Sequence, residues 1–127
     1  MSWKKVVVMA AAAVMLSTGV ASAAEKPKSI LHVVTLYWKP GTSAEAKQKA
    51  LDGITEMAKK FPGITRVWLN SIKVQGDIGD KPVESVFVME FKDAAAFKEY
   101  DNHPAHREWE KLYLPVRGES RTSDITN

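Results

Sequence analysis

Between residues 30 and 39 the chain reads Ile-Leu-His-Val-Val-Thr-Leu-Tyr-Trp-Lys. On a pleated strand His32, Val34, Leu36 and Trp38 share one face, and Leu31, Val33, Thr35 and Tyr37 share the other. Both faces are largely apolar, so this strand expects cover on both sides. Pro40-Gly41 ends it. Thr42-Ser43-Ala44-Glu45 then reads as a capping box, in which the Thr42 hydroxyl and the Glu45 side chain satisfy each other's free backbone N–H groups. From there to about Phe61 the apolar residues recur at helical spacing. Ala46, Ala50, Ile54, Met57, Ala58 and Phe61 form one stripe, while Lys47, Lys49, Asp52, Glu56, Lys59 and Lys60 make the solvated side. Gly53 costs the helix a little stability and points to a close approach between helix and sheet.

Pro62-Gly63 closes that helix. Residues 64–74 alternate as a second strand, with Arg66, Trp68, Asn70 and Ile72 on one face and Val67, Leu69, Ser71 and Lys73 on the other. Gly76, Gly79 and Pro82 make 75–82 a loop. A third strand covers about 83–91, with Val86 and Val88 opposite Phe87, Met89 and Phe91. Asp93 is a good N-cap for a second helical region. That region breaks at His103-Pro104 into two short helices, because proline suits a first turn and pushes the preceding residue out of helical geometry. Either Asn102 or His103 is then the cap of the second piece. Pro115 stops it, and Arg117–Thr126 is a polar, weakly patterned last strand.

The order is β-α-β-β-α-β, the split-βαβ arrangement of an α+β ferredoxin-like fold, with helices on one face of an antiparallel sheet. The other sheet face still carries large apolar side chains. It calls for a second copy of the chain, which predicts a two-fold homodimer with its sheets face to face.

The amino-terminal segment patterns differently. Lys4 and Lys5 precede an unbroken apolar run from Val6 to Leu16, followed by small residues ending Ala21-Ser22-Ala23. This reads as a signal peptide cleaved after Ala23, and hence as an exported protein, periplasmic or secreted. The run is far short of the roughly 20 apolar residues of a transmembrane helix, so no membrane association is expected after cleavage. Residues 24–29 are then a leader and 30–127 the domain. Loss of Lys4 and Lys5 lowers the formal net charge from +3 to +1. A near-neutral surface argues against broad electrostatic binding of nucleic acid. The chain has no cysteine, so stability must come from packing rather than disulfides.

The candidate chemistry gathers between Phe97 and Leu114, which holds two of the three histidines and two of the three tyrosines. His106 falls in the first turn of a helix, whose positive end favours the neutral imidazole that a general base needs. Tyr100, six residues earlier, offers a phenol that can donate to a developing enolate oxygen. His32 sits on the first strand among Val34 and Leu36; a lone histidine on an apolar face is more often hydrogen-bonded packing than catalytic. His103 serves as a cap or packing residue. Trp68, Phe87 and Trp109 are candidate walls of a pocket for a small apolar ligand between sheet and helices. His103 and His106 stand at i, i+3 without a third ligand close in sequence. No Gly-rich phosphate loop follows a strand, and no G-x-S-x-G elbow is present. Neither metal nor cofactor is expected.

The strand Leu31-His32-Val33-Val34, the turn Lys39-Pro40-Gly41-Thr42, Phe61-Pro62-Gly63-Ile64, Val88-Met89-Glu90-Phe91-Lys92-Asp93 and above all Tyr100-Asp101-Asn102-His103-Pro104-Ala105-His106 resemble the stress-responsive α/β-barrel (Dabb) family. The resemblance runs from about Ile30 to Thr126 and implies a dimeric α/β barrel whose members mostly have no assigned activity. One plant branch, that of olivetolic acid cyclase, closes a polyketide without metal or cofactor. The resemblance implies that its catalytic His and Tyr correspond to His106 and Tyr100, and its strand-one His to His32. A further pocket histidine of that branch falls where this chain has Ser85. Three functional readings follow. The first is a homodimer binding a small apolar ligand, its biochemical activity unassigned. The second is a cofactor-independent cyclase or lyase with His106 as base, and the third a cofactor-free monooxygenase.

Overall fold

The computed structural model describes residue 24 and residues 26–127; the expected signal segment, residues 1–23, lies outside the described residues. The elements are β1 (Ile30–Trp38), α1 (Ala44–Lys60), β2 (Ile64–Trp68), β3 (Asp77–Ile78), β4 (Lys81–Pro82), β5 (Ser85–Phe91), α2 (Ala94–Tyr100), α3 (Pro104–Tyr113) and β6 (Arg117–Ile125). The main sheet has the order β2-β5-β1-β6, with all neighbours antiparallel; β3 and β4 form a separate small hairpin. This is the expected α+β ferredoxin-like fold.

The helices cover the face that carries Val34, Leu36 and Trp38 from β1 and Phe87, Met89 and Phe91 from β5, all buried. α1 contributes Ala50, Ile54 and Met57 to the same core, the stripe that helical spacing marked out. Asp93 caps α2 as expected, accepting from Ala96 N at 2.8 Å.

Five local readings differ in the structure. Ser43, not Thr42, caps α1: its hydroxyl accepts from Ala46 N at 3.1 Å. The Thr42 hydroxyl is already engaged in the turn, donating to Lys39 O at 2.7 Å, where Gly41 supplies the positive φ of +79° that the tight turn requires. Glu45 pairs with Lys49 instead of reaching back. The close approach at Gly53 is to α3, not to the sheet. A Cβ there would stand 2.9 Å from the Trp109 ring, and that ring is fixed by its indole N–H donating to Ala50 O at 2.8 Å.

The third and fourth corrections concern the second and third strands. β2 ends at Trp68 rather than near Val74, and β5 begins at Ser85 rather than Val83. Between them Ser71 Oγ donates to Val86 O and accepts from Val86 N, both at 2.8 Å. One hydroxyl therefore satisfies the backbone groups that a longer β2 would have paired, a side-chain substitute for the ladder. Part of the expected loop then folds as the β3–β4 hairpin.

The outer sheet face is open and mixed. Cross-strand pairing sets Trp68, Val88, Val33 and Ser123 in one row, and Arg66, Glu90, Leu31 and Ile125 in the next. Trp68 and Ile125 remain 46% and 54% exposed. Residues 27–29 and 126–127 meet beside this face: Thr126 Oγ1 donates to Ser29 O and Asn127 Nδ2 to Pro27 O.

A β-bulge between Ile64 and Arg66 shapes this face. It turns Thr65 and Arg66 toward the same carboxylate. Arg66 grips Glu90 through Nε and Nη2, both at 2.8 Å, Thr65 Oγ1 donates at 2.6 Å and Ser29 Oγ at 3.0 Å. The guanidinium first, then the Thr65 hydroxyl, hold the Glu90 carboxyl at about 2 against the opposing effect of burial. A carboxyl whose folded pKa lies below its unfolded value stabilises the fold above the unfolded pKa and ceases to as pH falls through the folded one. The melting temperature is therefore expected to drop between about pH 4.5 and pH 2. The Glu90→Gln variant should lose stability at neutral pH and show a flatter acid limb in a pH series of thermal melts.

Candidate ligand cavity

A cavity of about 220 Å³ lies between the inner sheet face and the α2–α3 pair. Its construction begins with the His103-Pro104 break. His103 is the cap of α3: its Nδ1 accepts from Ala105 N at 3.1 Å, and its ring packs on Phe61 with centroids 4.3 Å apart. That places His103 outside the cavity and resolves the choice of cap. The break also turns α3 so that His106, in its first turn, meets Tyr100, the last residue of α2. Their rings stack at 3.9 Å with 25° between planes.

From there an aromatic ladder runs along α3. His106, Trp109 and Tyr113 follow at i, i+3 and i+7, one face of a helix. Trp109 lies 6.1 Å from His106 at 26°, and Tyr113 lies 4.5 Å from Trp109 at 13°. Tyr100, Trp109 and Tyr113 are buried. The opposite wall comes from the sheet: Val34, Phe87, Thr122 and His32. Phe87 meets Trp109 and Tyr113 edge-on, at 6.0 and 5.8 Å. These edge-to-face contacts suit the quadrupoles of the rings.

Each polar group has a defined setting. His32 Nδ1 lies 2.6 Å from Asp124 Oδ1, its direct cross-strand partner on β6. A neutral His32 ring held this way carries its proton on Nδ1 and leaves Nε2 free to accept. Its ring meets Tyr100 edge-on at 5.5 Å. His106 Nδ1 has one hydrogen-bond partner, Asp101 O at 3.3 Å, and Glu110 Oε1 stands beyond hydrogen-bond reach at 3.6 Å. In the neutral ring the same logic puts the His106 proton on Nδ1 and the lone pair on Nε2. Glu110 is held in turn by Arg107 Nη1 at 2.9 Å. Burial pushes the Tyr100 phenol well above its ordinary range, and the carboxylates of Glu110 and Asp101 push it the same way. Tyr100 therefore stays protonated, a hydrogen-bond donor at any physiological pH.

The structure thus brings His32, Tyr100, His106, Phe87 and Trp109 around one cavity. Trp68 does not join them. It stands on the outer face of the sheet, where the Arg66 guanidinium lies 5.5 Å from its ring, so the three candidate wall residues do not share a pocket. Strand alternation places Trp68 opposite Val67, and it is Val67 that packs against the core. Ser85 is engaged as well, accepting from Trp38 Nε1 at 2.9 Å. Sequence reasoning did not single out Asp124, Glu110, Tyr113, Arg117 or Ser120, all near or in the cavity wall. Glu110 and Tyr113 were legible as the i+4 and i+7 positions after His106. Asp124 depends on the β1–β6 register, which the polar last strand does not announce. Among the described residues, no group of three or more His, Cys, Asp or Glu is placed to hold a metal ion.

The fold and this cavity define a class of small split-βαβ proteins with an aromatic-lined pocket under the helix pair. The chain belongs to the stress-responsive A/B barrel domain (Dabb) family, which matches residues 30–127. Solved structures of similar shape include a hydroxynitrile lyase from Passiflora edulis, with a TM-score of 0.67 at 15% identity over 80% of this chain and 94% of that one. A Dabb-family protein with a ferredoxin-like fold from Mesorhizobium loti gives 0.61 at 20% identity, over 78% and 96%. A dimeric protein of unknown function from Bacteroides fragilis gives 0.59 at 15%, over 81% and 100%. No curated protein sequence matches the chain.

Proposed function

We propose that this protein is an exported homodimer that binds a small ligand with a flat apolar body in the cavity between helices and sheet. The observation that carries the reading is the ladder Tyr100–His106–Trp109–Tyr113 facing Phe87 and Val34 across about 220 Å³. Such a wall offers aromatic and aliphatic surface to a flat molecule, with a few polar groups to orient it. The open outer face, with its row of Trp68, Val88 and Val33, supports pairing of two copies, as does the dimeric state named for the Bacteroides fragilis protein. Export rests on Lys4-Lys5, the apolar run and Ala21-Ser22-Ala23.

A second reading has its own observation. Glu110 and the Asp101 carbonyl stand behind His106 Nδ1, the arrangement in which a third group orients a general base. Tyr100, kept protonated by burial, is placed to donate to an oxygen that gains charge. These features fit a cofactor-independent lyase or cyclase, and lyase is the activity named for the Passiflora edulis protein.

Incubation with polyketide-like, quinone-like and cyanohydrin compounds, comparing wild type with His106→Ala, separates the two. For an enzyme, the variant keeps its fold and binds within a few-fold, while turnover falls by about 100-fold or more, the usual contribution of a general base. For a binding protein, wild type turns nothing over and the substitution changes only binding and melting temperature.

A further inference from the structure

A general base at His106 with Tyr100 as donor occupies one end of the cavity and gives the other end no role. His106 and Tyr113 are seven residues apart on α3, which separates the two ends by about 10 Å at ~1.5 Å rise per residue. At the far end Tyr113 is 5% exposed, and its hydroxyl finds no hydrogen-bond partner among the described residues. A buried hydroxyl left unpaired costs free energy, so native folds rarely keep one without a reason. Arg117 and Ser120 of β6 line the cavity beside it. The Arg117 guanidinium carbon lies 5.6 Å from the Tyr113 ring centroid. Among the described residues Arg117 forms no ion pair, whereas Arg66 and Arg107 each do. Burial, the largest effect, raises the Tyr113 phenol, while Ser120 and Arg117 pull it back.

The acidic lining residues gather at the opposite end. Glu110 is held by Arg107 and faces His106, and Asp101 lies at the α2 terminus. Asp124, close by, is bonded to His32. The cavity is therefore polarised: carboxylates at the His32–His106 end, an unpaired guanidinium and two hydroxyls at the Tyr113–Arg117–Ser120 end.

Taking the cavity as a ligand site, the reading on which this rests, we propose that Tyr113, Arg117 and Ser120 form a seat for a carboxylate-type anion. The ligand is then a flat apolar acid whose head lies at Arg117 and whose body lies along Trp109 toward Tyr100. Guanidinium and phenol donors converging on one spot suit a carboxylate, since both donate and neither needs to be deprotonated. The Tyr113 hydroxyl gains its missing partner when the acid binds.

Calorimetric titration with naphthoate and its uncharged analogue naphthylmethanol tests the seat. Wild type is expected to bind the acid at least about tenfold tighter, the increment of a charge-assisted hydrogen bond. Arg117→Met should abolish that preference while leaving naphthylmethanol within about threefold, and Arg117→Lys should restore part of it. Tyr113→Phe should weaken naphthoate several-fold yet raise the melting temperature of the unliganded protein, since it removes an unpaired hydroxyl. Equal affinity of wild type for both probes overturns the anion seat and leaves the cavity reading standing. Binding of neither probe overturns both.

Discussion

Replacing Phe87 by alanine is expected to lower the unfolding free energy by about 3–5 kcal/mol, the range for a large buried aromatic. Phe87 is 1% exposed, and it is wedged edge-on against both Trp109 and Tyr113. Those contacts add to the area term, since paired aromatics contribute about 0.5–1.5 kcal/mol beyond burial. The neighbours have little freedom to collapse into the space. Trp109 is tied to α1 by its bond to Ala50 O, and Gly53 already meets its ring at close range. Against a total stability of roughly 5–15 kcal/mol for an ordinary domain, the loss is a large fraction. Urea unfolding followed by tryptophan fluorescence measures it. Because Phe87 also forms a wall of the cavity, the vacated volume joins that space. A ligand large enough to fill it should restore part of the stability by mass action.

The second large effect concerns association. Val33 is paired with Val88 on one side and Ser123 on the other, at the centre of the outer sheet face. A face-to-face dimer desolvates this position in both copies. Val33→Glu then buries two like charges, at several kcal/mol in total, and the dimer dissociation constant should rise by about 100-fold or more, since 1.4 kcal/mol is tenfold. Sedimentation equilibrium is expected to show a dimer for wild type and a monomer for the variant at micromolar concentration. The circular dichroism of the two should match, because the side chain points away from the helix-covered core. A variant that stays as dimeric as wild type would place the interface on another surface.

The fold was legible in the chain because its signals are local. The 3.6-residue stripe of α1, the Asp93 cap and the His103-Pro104 break each act within a few residues. The readings that failed were those that depended on a competitor for the same backbone group. Thr42 had the chemistry of a cap but was captured by the Lys39 carbonyl. The alternation after Trp68 was strand-like, yet a single Ser71 hydroxyl took the pairing that would have extended β2. For the site, Tyr100 and His106 could be placed near each other because six residues and one proline fix the turn between them. Trp68 was misplaced because the second strand carries apolar residues on both faces, Trp68 and Ile72 on one and Val67 and Leu69 on the other, so its pattern does not reveal which face meets the core. Asp124, Arg117 and Ser120 lie on a last strand whose polar sequence fixes no register, so their approach to His32 and Tyr113 emerges only from the β1–β6 pairing.

On the proposed reading the space under α2 and α3, and not the outer sheet face, receives the ligand. Intermolecular nuclear Overhauser effects between naphthoate and the protein test it most directly. Contacts are expected from the naphthalene protons to the rings of Trp109, Tyr100 and Phe87, with none to Trp68. Contacts to Trp68 and Leu31, with the Trp109 and Tyr100 resonances unmoved at saturation, would contradict it.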